Sequence, residues 1–360
     1  MDRRLFLKSG MMLGATNMMG LPVYANEDPV FIVPPEEDPH ELTFMQWPTD
    51  AYGDGDKGAL AELQQTIAGI ANAISDFEPV ILLADGALHR QTQRLLSENV
   101  ELWDIPTDDL WCRDSGPLFG KKPDGSLIVS QIQFNSWGGR FNLSNDELVA
   151  KRVAERLGLE IVPSGIVGEP GGAEQSGHGL LFAHESSWVN DNRNPNLSRT
   201  EIEEGLLAAY GAEKLIWAKG VKGQDVTDYH IDSLARFTGQ NTVLMNLPDE
   251  PNMDDVFHLA ALETYETLKA EGLEIDVIPD PVAHRVQEDD FVASYANYYV
   301  CNGAVIAAQF GDRETDAIAK QALQKHYPGR EVIALNVDAL GYVGGGIHCA
   351  TQQMPVSGQS

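Results

Sequence analysis

Three short segments carry residue types that together could attack a flat cation. They are Trp111-Cys112-Arg113-Asp114-Ser115-Gly116-Pro117, Tyr229-His230-Ile231-Asp232-Ser233, and Gly344-Gly345-Gly346-Ile347-His348-Cys349-Ala350-Thr351-Gln352-Gln353. Cys349 offers a thiol behind three glycines, which allow a close backbone approach that a Cβ would block. A free thiol is only slightly ionised near neutrality, so Cys349 needs a nearby cation to act as a nucleophile. His230 and Asp232 stand two residues apart. On a strand both would leave one face, one to move protons and the other to hold a cation. Asp114 adds a second carboxylate, and a pair of carboxylates grips a guanidinium through forked hydrogen bonds.

Each piece also has a plainer reading. Cys349 could be a buried structural cysteine, His-x-Asp a surface pair or half of a metal site, Arg113-Asp114 a surface ion pair, and Trp111 ordinary core. No third ligand stands at a spacing that zinc needs, so no metal is expected. His348 would point to the opposite face of a strand from Cys349, which makes it the poorer base.

Taken together, these segments resemble the agmatine deiminase and bacterial peptidylarginine deiminase family of guanidine-modifying enzymes. The string Trp111-x-Arg113-Asp114-x-Gly116-Pro117 matches at each fixed position, and so does Gly344-Gly345-Gly346-Ile347-His348-Cys349-x-Thr351-Gln352-Gln353. Further likeness runs through Pro35-Glu36 to Gln46-Trp47-Pro48, Phe134 to Gly139, Asn192 to Pro195, and Ala293 to Asn297, covering nearly all of residues 34–355. The resemblance implies a single α/β domain, a five-bladed pseudosymmetric propeller of the pentein type with the site on its axis. It implies that Cys349, His230, Asp114 and Asp232 are catalytic, that Trp111 lines the substrate channel, and that no cofactor is needed. A small cationic guanidine is then the substrate and agmatine, giving N-carbamoylputrescine and ammonia, its leading identity. Deimination of a C-terminal arginine in peptides is the alternative, with Arg140 or Arg193 to meet the carboxylate. Amidinotransfer and an inactive periplasmic amine- or arginine-binding protein are further readings. One departure concerns Gly168-Glu169-Pro170-Gly171-Gly172. Aligned on the glycines, Pro170 stands where the family has a substrate-binding glutamate and Ser176 where it has an aspartate. Glu169 or Glu174 supplies the carboxylate only if the backbone shifts.

The elements that must position these residues are legible in part. Leu60, Leu63, Ile67, Ile70, Ala71 and Ile74 fall on one helical face, and Pro79–Leu83 reads as a buried strand. A helix near Leu88–Leu96 leads to a strand at Glu101–Ile105, and another strand runs up to Asn135. Ser144 with Glu147 and Ser198 with Glu201 form capping boxes, the second helix closing at Gly211. Asp254–Glu271 and Glu314–His326 are helical, with strands at Glu274–Ile278 and Glu331–Leu335. Asn302-Gly303 between two strand-like runs predicts a hairpin, because both residues tolerate positive φ. Alternating helices and strands with antiparallel hairpins indicate a mixed α/β fold, not a doubly wound dinucleotide fold.

Composition sets outer bounds. Lys and Arg number 25 against 54 Asp and Glu, a net −29, which disfavours nucleic acid and anionic lipid. Arg3-Arg4 ahead of Phe6-Leu7-Lys8, a short apolar stretch and Val23-Tyr24-Ala25 describe a twin-arginine export signal over residues 1–25. The mature domain then spans 26–360 and is periplasmic; losing Asp2, Arg3, Arg4 and Lys8 takes −29 to −31. No run of apolar residues is long enough to span a bilayer. Of three cysteines, Cys112 and Cys301 sit in apolar runs that suit buried inert thiols, a bridge between them being the alternative.

Overall fold

The structure is a computed structural model that describes residues 30–50, 55–288 and 290–358; the expected export signal lies outside them. One pattern repeats around the molecule. β1 (His40–Gln46) is followed by helix α1 (Lys57–Ser75), by β2 (Val80–Ala84) parallel to β1, and by β3 (Val100–Asp104) parallel to β2. β4 (Leu118–Lys121) and β5 (Leu127–Gln133) form an antiparallel pair. The helix α2 (Val149–Leu157) then returns the chain to β6 (Glu160–Val167), parallel to β5.

The same hairpin, crossover helix and parallel strand recur three more times. The next unit holds β7 (Ala173–Gln175), β8 (Leu180–His184), α3 (Arg199–Tyr210) and β9 (Lys214–Ala218). It is followed by β10 (Ala235–Phe237), β11 (Thr242–Leu247), α4 (Val256–Ala270) and β12 (Glu274–Pro279). The last contains β13 (Tyr299–Cys301), β14 (Ala304–Ala308), α5 (Arg313–His326) and β15 (Glu331–Leu335). Finally β16 (Thr351–Pro355) pairs antiparallel with β1, supplying the first sheet with the strand it lacks and closing the ring. These five sheets are the blades of the expected five-bladed α/β propeller.

Local chemistry explains the elements. Asp56 caps α1 by accepting from Gly58 N and Ala59 N, and Leu63, Ile67, Ile70, Ala71 and Ile74 turn its apolar face inward. β2 is buried along its whole length, as a parallel strand covered on both faces should be. The Ser198–Glu201 box is present on α3, and Gly211 ends that helix at φ 64°. Asn302-Gly303 forms the two-residue turn between β13 and β14, with Gly303 at φ 81°.

Several boundaries differ from expectation. The stretch near Leu88–Leu96 holds only a helical turn, His89–Thr92. The Ser144–Glu147 box does not form: a 3-10 turn, Asp146–Leu148, precedes α2, and the Glu147 carboxylate instead accepts from Ser136 Oγ. Cys112 and Cys301 are buried free thiols with no bridge between them. No helix among the described residues is long and apolar enough to cross a membrane.

Candidate active site

The five-fold pattern explains how residues scattered through the sequence meet. In each blade the segment just ahead of the first strand of the hairpin approaches the axis. Asp114 precedes β4, Glu169 precedes β7, His230 and Asp232 precede β10, Asn297 precedes β13 and Cys349 precedes β16. Most of these approaches are tight turns: a helical turn at Cys112–Ser115, 3-10 turns at Pro170–Gly172 and Ile231–Ser233, and turns over Ile347–Ala350. His230 and Asp232 therefore do not share a strand face as expected. His230 is the extended residue before the 3-10 turn, which swings Asp232 back toward it. Cys349 likewise sits in a turn, so His348 does not face away but joins the same cluster.

All these side chains are buried. Asp114 Oδ2 accepts from Trp137 Nε1 at 2.9 Å, while its Oδ1 lies 3.7 Å from His230 Nδ1, too far for a hydrogen bond. His230 Nε2 lies 3.1 Å from Glu169 Oε2. Asp232 Oδ2 lies 2.8 Å from His348 Nδ1 and 3.4 Å from Cys349 Sγ. Asn297 Nδ2 donates to that sulfur at 3.0 Å, and Cys349 N donates to Asn297 Oδ1 at 3.3 Å. The Trp111 ring and the Cys349 thiol both border Gly345, where a Cβ would meet the ring at 2.6 Å and Sγ at 3.5 Å.

Two carboxylate oxygens, Asp114 Oδ1 and Asp232 Oδ1, are buried and have no hydrogen-bond partner. Unsatisfied buried acceptors are costly, so their presence marks a place for a donor. Gly171 keeps the space beside the Asp114 oxygen open. A Cβ there would meet Asp114 Oδ1 at 2.7 Å, His230 Nδ1 at 3.0 Å and Asp232 Oδ2 at 3.2 Å. The gap thus faces two carboxylates, an imidazole and, through Asp232, the Cys349 thiol. It fits a flat group with several N–H donors and one positive charge.

The electrostatics agree. Burial pushes Asp114 up to about 6, with Glu169 and Asp232 adding to the rise and His230 opposing it. Burial works against the His230 cation, yet Asp114, Glu169 and Asp232 lift it to about 9. Burial would also raise Asp232, but the hydrogen bond and charge of His348, then His230 and Arg236, hold it below the ordinary carboxylate value. Burial first, then Asp232 and Asp114, push the Cys349 thiol well above its usual value. With the gap empty, the site therefore keeps its sulfur protonated; a cation between the two aspartates removes the charges that hold the proton.

The carboxylate that alignment on the glycines removed is present. Pro170 lies in the 3-10 turn, and Glu169 ahead of it reaches His230. Both of its oxygens also accept from Arg193 Nε, at 3.0 and 2.9 Å, so Glu169 stands behind the imidazole instead of lining the gap. Glu174 pairs with Arg236, away from the gap. Arg193 is fully buried between Glu169 and Asp228, and Arg140 pairs with Asp228 and donates to the Asp225 carbonyl.

Sequence reasoning missed Asn297, Trp137 and Glu36, and set His348 aside as facing away from Cys349. Asn297 and Trp137 lay inside family-like stretches but carried no chemistry of their own until the fold set them on Cys349 and Asp114. Ser136 and Trp137 adopt positive φ, 58° and 52°, a strained backbone that marks a functional position. No group of three or more His, Cys, Asp or Glu among the described residues has metal-binding geometry.

Comparisons with known proteins agree with this geometry. Residues 32–355 match the Porphyromonas-type peptidyl-arginine deiminase family. A Mycoplasma capricolum protein provisionally named agmatine deiminase is 32% identical over 357 residues, 91% of this chain and 96% of its own length. The agmatine deiminase of Enterococcus faecalis superposes with a TM-score of 0.81 at 27% identity, covering 91% of this chain and 96% of that one. A cysteine-to-serine variant of the C. jejuni agmatine deiminase, solved with substrate bound, gives 0.82 at 26% identity, with 91% and 97% covered.

Proposed function

Because the chain belongs to the Porphyromonas-type peptidyl-arginine deiminase family, whose chemistry is hydrolysis of carbon–nitrogen bonds in linear amidines, we propose that it deiminates agmatine to N-carbamoylputrescine and ammonia. The observation that carries the reading is the pair of carboxylates, Asp114 and Asp232, each with one buried oxygen left without a partner and both bordering the Gly171 gap beside Cys349.

A guanidinium bound there donates to both aspartates and presents its carbon to the sulfur. Its charge offsets the two carboxylates, the thiol proton leaves to solvent, and the thiolate adds to the carbon. His230, protonated at rest, gives its proton to the departing nitrogen. The carbon–nitrogen bond breaks, and ammonia leaves a cationic thiouronium on Cys349. His230, now neutral and held by Glu169, takes a proton from water as that water adds to the same carbon. The carbon–sulfur bond then breaks and the remaining hydroxyl proton of the adduct leaves to solvent, restoring the thiolate and the imidazolium and releasing the neutral ureido product. Asn297 Nδ2 donates to the sulfur in both halves of the cycle.

Agmatine is favoured over a C-terminal arginine by the fate of the candidate cations. Arg193 and Arg140 are both ion-paired to Asp228, and Arg193 also to Glu169, so each is engaged where a peptide carboxylate would need it. The excess of acidic residues suits a dication. The export signal read in residues 1–25 supports the further proposal that the enzyme acts in the periplasm. Parallel assays for ureido product with agmatine, free arginine and arginine-terminated peptides test the proposal. Turnover of peptides with agmatine left unchanged overturns the substrate, and no ureido product from any guanidine overturns the activity.

A further inference from the structure

The segment before β1 brings one carboxylate into the propeller axis. Ile32 bridges to Lys121 beside β4, and Val33 N donates to the Tyr210 carbonyl at the end of α3. After Pro34-Pro35 the chain places Glu36 among groups from several blades. Glu36 Oε2 accepts from Arg113 Nη2 at 2.9 Å and lies 3.0 Å from His348 Nε2. Its Oε1 accepts from Arg236 Nη2 at 3.0 Å and from Val300 N at 2.9 Å. The far side of the His348 ring meets Asp232 Oδ2 at 2.8 Å. A histidine with a carboxylate oxygen at each ring nitrogen bonds both only when both nitrogens carry protons.

We propose that Glu36, acting through His348, is a positioning residue that fixes Asp232 as the ionised, correctly aimed acceptor for the substrate. This rests on the guanidinium reading of the site. Asp232 has two oxygens with different duties. Oδ2 meets His348 and also borders the Gly171 gap, so the His348 contact sets the plane of the carboxylate, while Oδ1 stays buried with no partner of its own. Asp114 is held differently, by the neutral indole of Trp137. A cationic clamp on one aspartate and a neutral clamp on the other separate their acidities, keeping Asp232 charged where Asp114 is near its titration point. The charges facing His348 come from every side: Asp232 from the 3-10 turn before β10, Glu36 from the N-terminal arm, and Arg113, whose Nε also donates to the His348 carbonyl at 3.4 Å. Arg236 of β10 and Glu174 of β7 stand behind Glu36. Cys349 is the chain neighbour.

The test uses His348→Gln, Glu36→Gln and the double variant, with pH profiles of kcat/KM for whichever guanidine the wild type turns over. Without the imidazolium, burial dominates and Asp232 keeps its proton to higher pH. His348→Gln therefore loses about 10²-fold in kcat/KM, and its acid limb moves to higher pH and steepens. Glu36→Gln moves the limb the same way, and the double variant is no worse than His348→Gln alone. A folded His348→Gln enzyme with an unmoved acid limb, or losses that multiply in the double variant, overturns the relay. Should Glu36→Gln not fold, the His348→Gln profile alone decides. NMR of ¹⁵N-histidine-labelled protein without substrate reads the same contact independently. Two protonated ring nitrogens, assigned by their loss in His348→Gln, are expected; a single N–H refutes the bridge. A wild type that deiminates nothing defeats the functional reading, while this spectrum still judges the relay.

Discussion

Replacing Gly171 with alanine tests the binding gap with the smallest possible change. The backbone there is outside the left-handed region, so alanine adds no conformational strain. The new methyl carbon would lie 2.7 Å from Asp114 Oδ1, 3.0 Å from His230 Nδ1 and 3.2 Å from Asp232 Oδ2, occupying the space assigned to the guanidinium. Substrate must then ride outward or lose a carboxylate. Misplacing the reacting carbon by about 1 Å costs on the order of 10²-fold. Losing one arm of a buried charged pair costs roughly 3–5 kcal/mol, or about 10²- to nearly 10⁴-fold. The two effects overlap, so the expected fall in kcat/KM is about 10³-fold, with KM raised as well as kcat lowered. Stability should change little, because the gap is open and only the ends of the Asp114, Asp232 and His230 side chains must yield. A shift in Tm within about 4 °C is expected for a cost near 1 kcal/mol. Steady-state ureido assays with agmatine and thermal melts measure both quantities. A Gly171→Ala enzyme within about threefold of wild type would refute the placement of the guanidinium, since no cation could sit between the aspartates with a methyl there.

Other outcomes follow from the same geometry. Cys349→Ser abolishes turnover and traps no covalent adduct, whereas Cys112→Ser and Cys301→Ser keep most activity; a substrate-derived mass on Cys112 would contradict this. The pH profile of kcat/KM should be a bell. Activity falls as pH drops through about 6, where Asp114 gains a proton, and again as pH rises through about 9, where His230 loses the proton it must donate. Arg193→Met removes the buried guanidinium that pairs both Glu169 and Asp228, so a loss of roughly 3–5 kcal/mol of stability is expected from denaturant titration. N-terminal sequencing of the protein from its native host should find a start near Asn26, and conversion of Arg3 and Arg4 to lysine should retain the precursor inside the cell.

The sequence alone determined the kind of chemistry and much of the scaffold. Cys349, His230, Asp114 and Asp232 were legible because their motifs are local strings, and the apolar periodicity of α1, the cap at Ser198 and the Asn302-Gly303 turn are each set by neighbouring residues. Failures came where one local signal met a stronger distant one. Ser144 with Glu147 satisfies a capping rule, yet Ser136, brought close by the fold, bonds the Glu147 carboxylate. His348 follows strand alternation only if Cys349 lies on a strand, and the turn into β16 removes that premise. Glu169 was hidden by counting along the chain, because a 3-10 turn at Pro170 decides where its carboxylate points. Tertiary structure alone decided which charges meet. Glu36 is 200 residues from Arg236, and Asn297 is 52 from Cys349; neither pairing leaves a mark in local sequence. The physical reason is the ring. Five similar approach turns converge on one axis only after β16 pairs with β1, and in that enclosed space burial together with Coulomb interactions, weak along an extended chain in water, shifts Asp114, His230, Asp232 and Cys349.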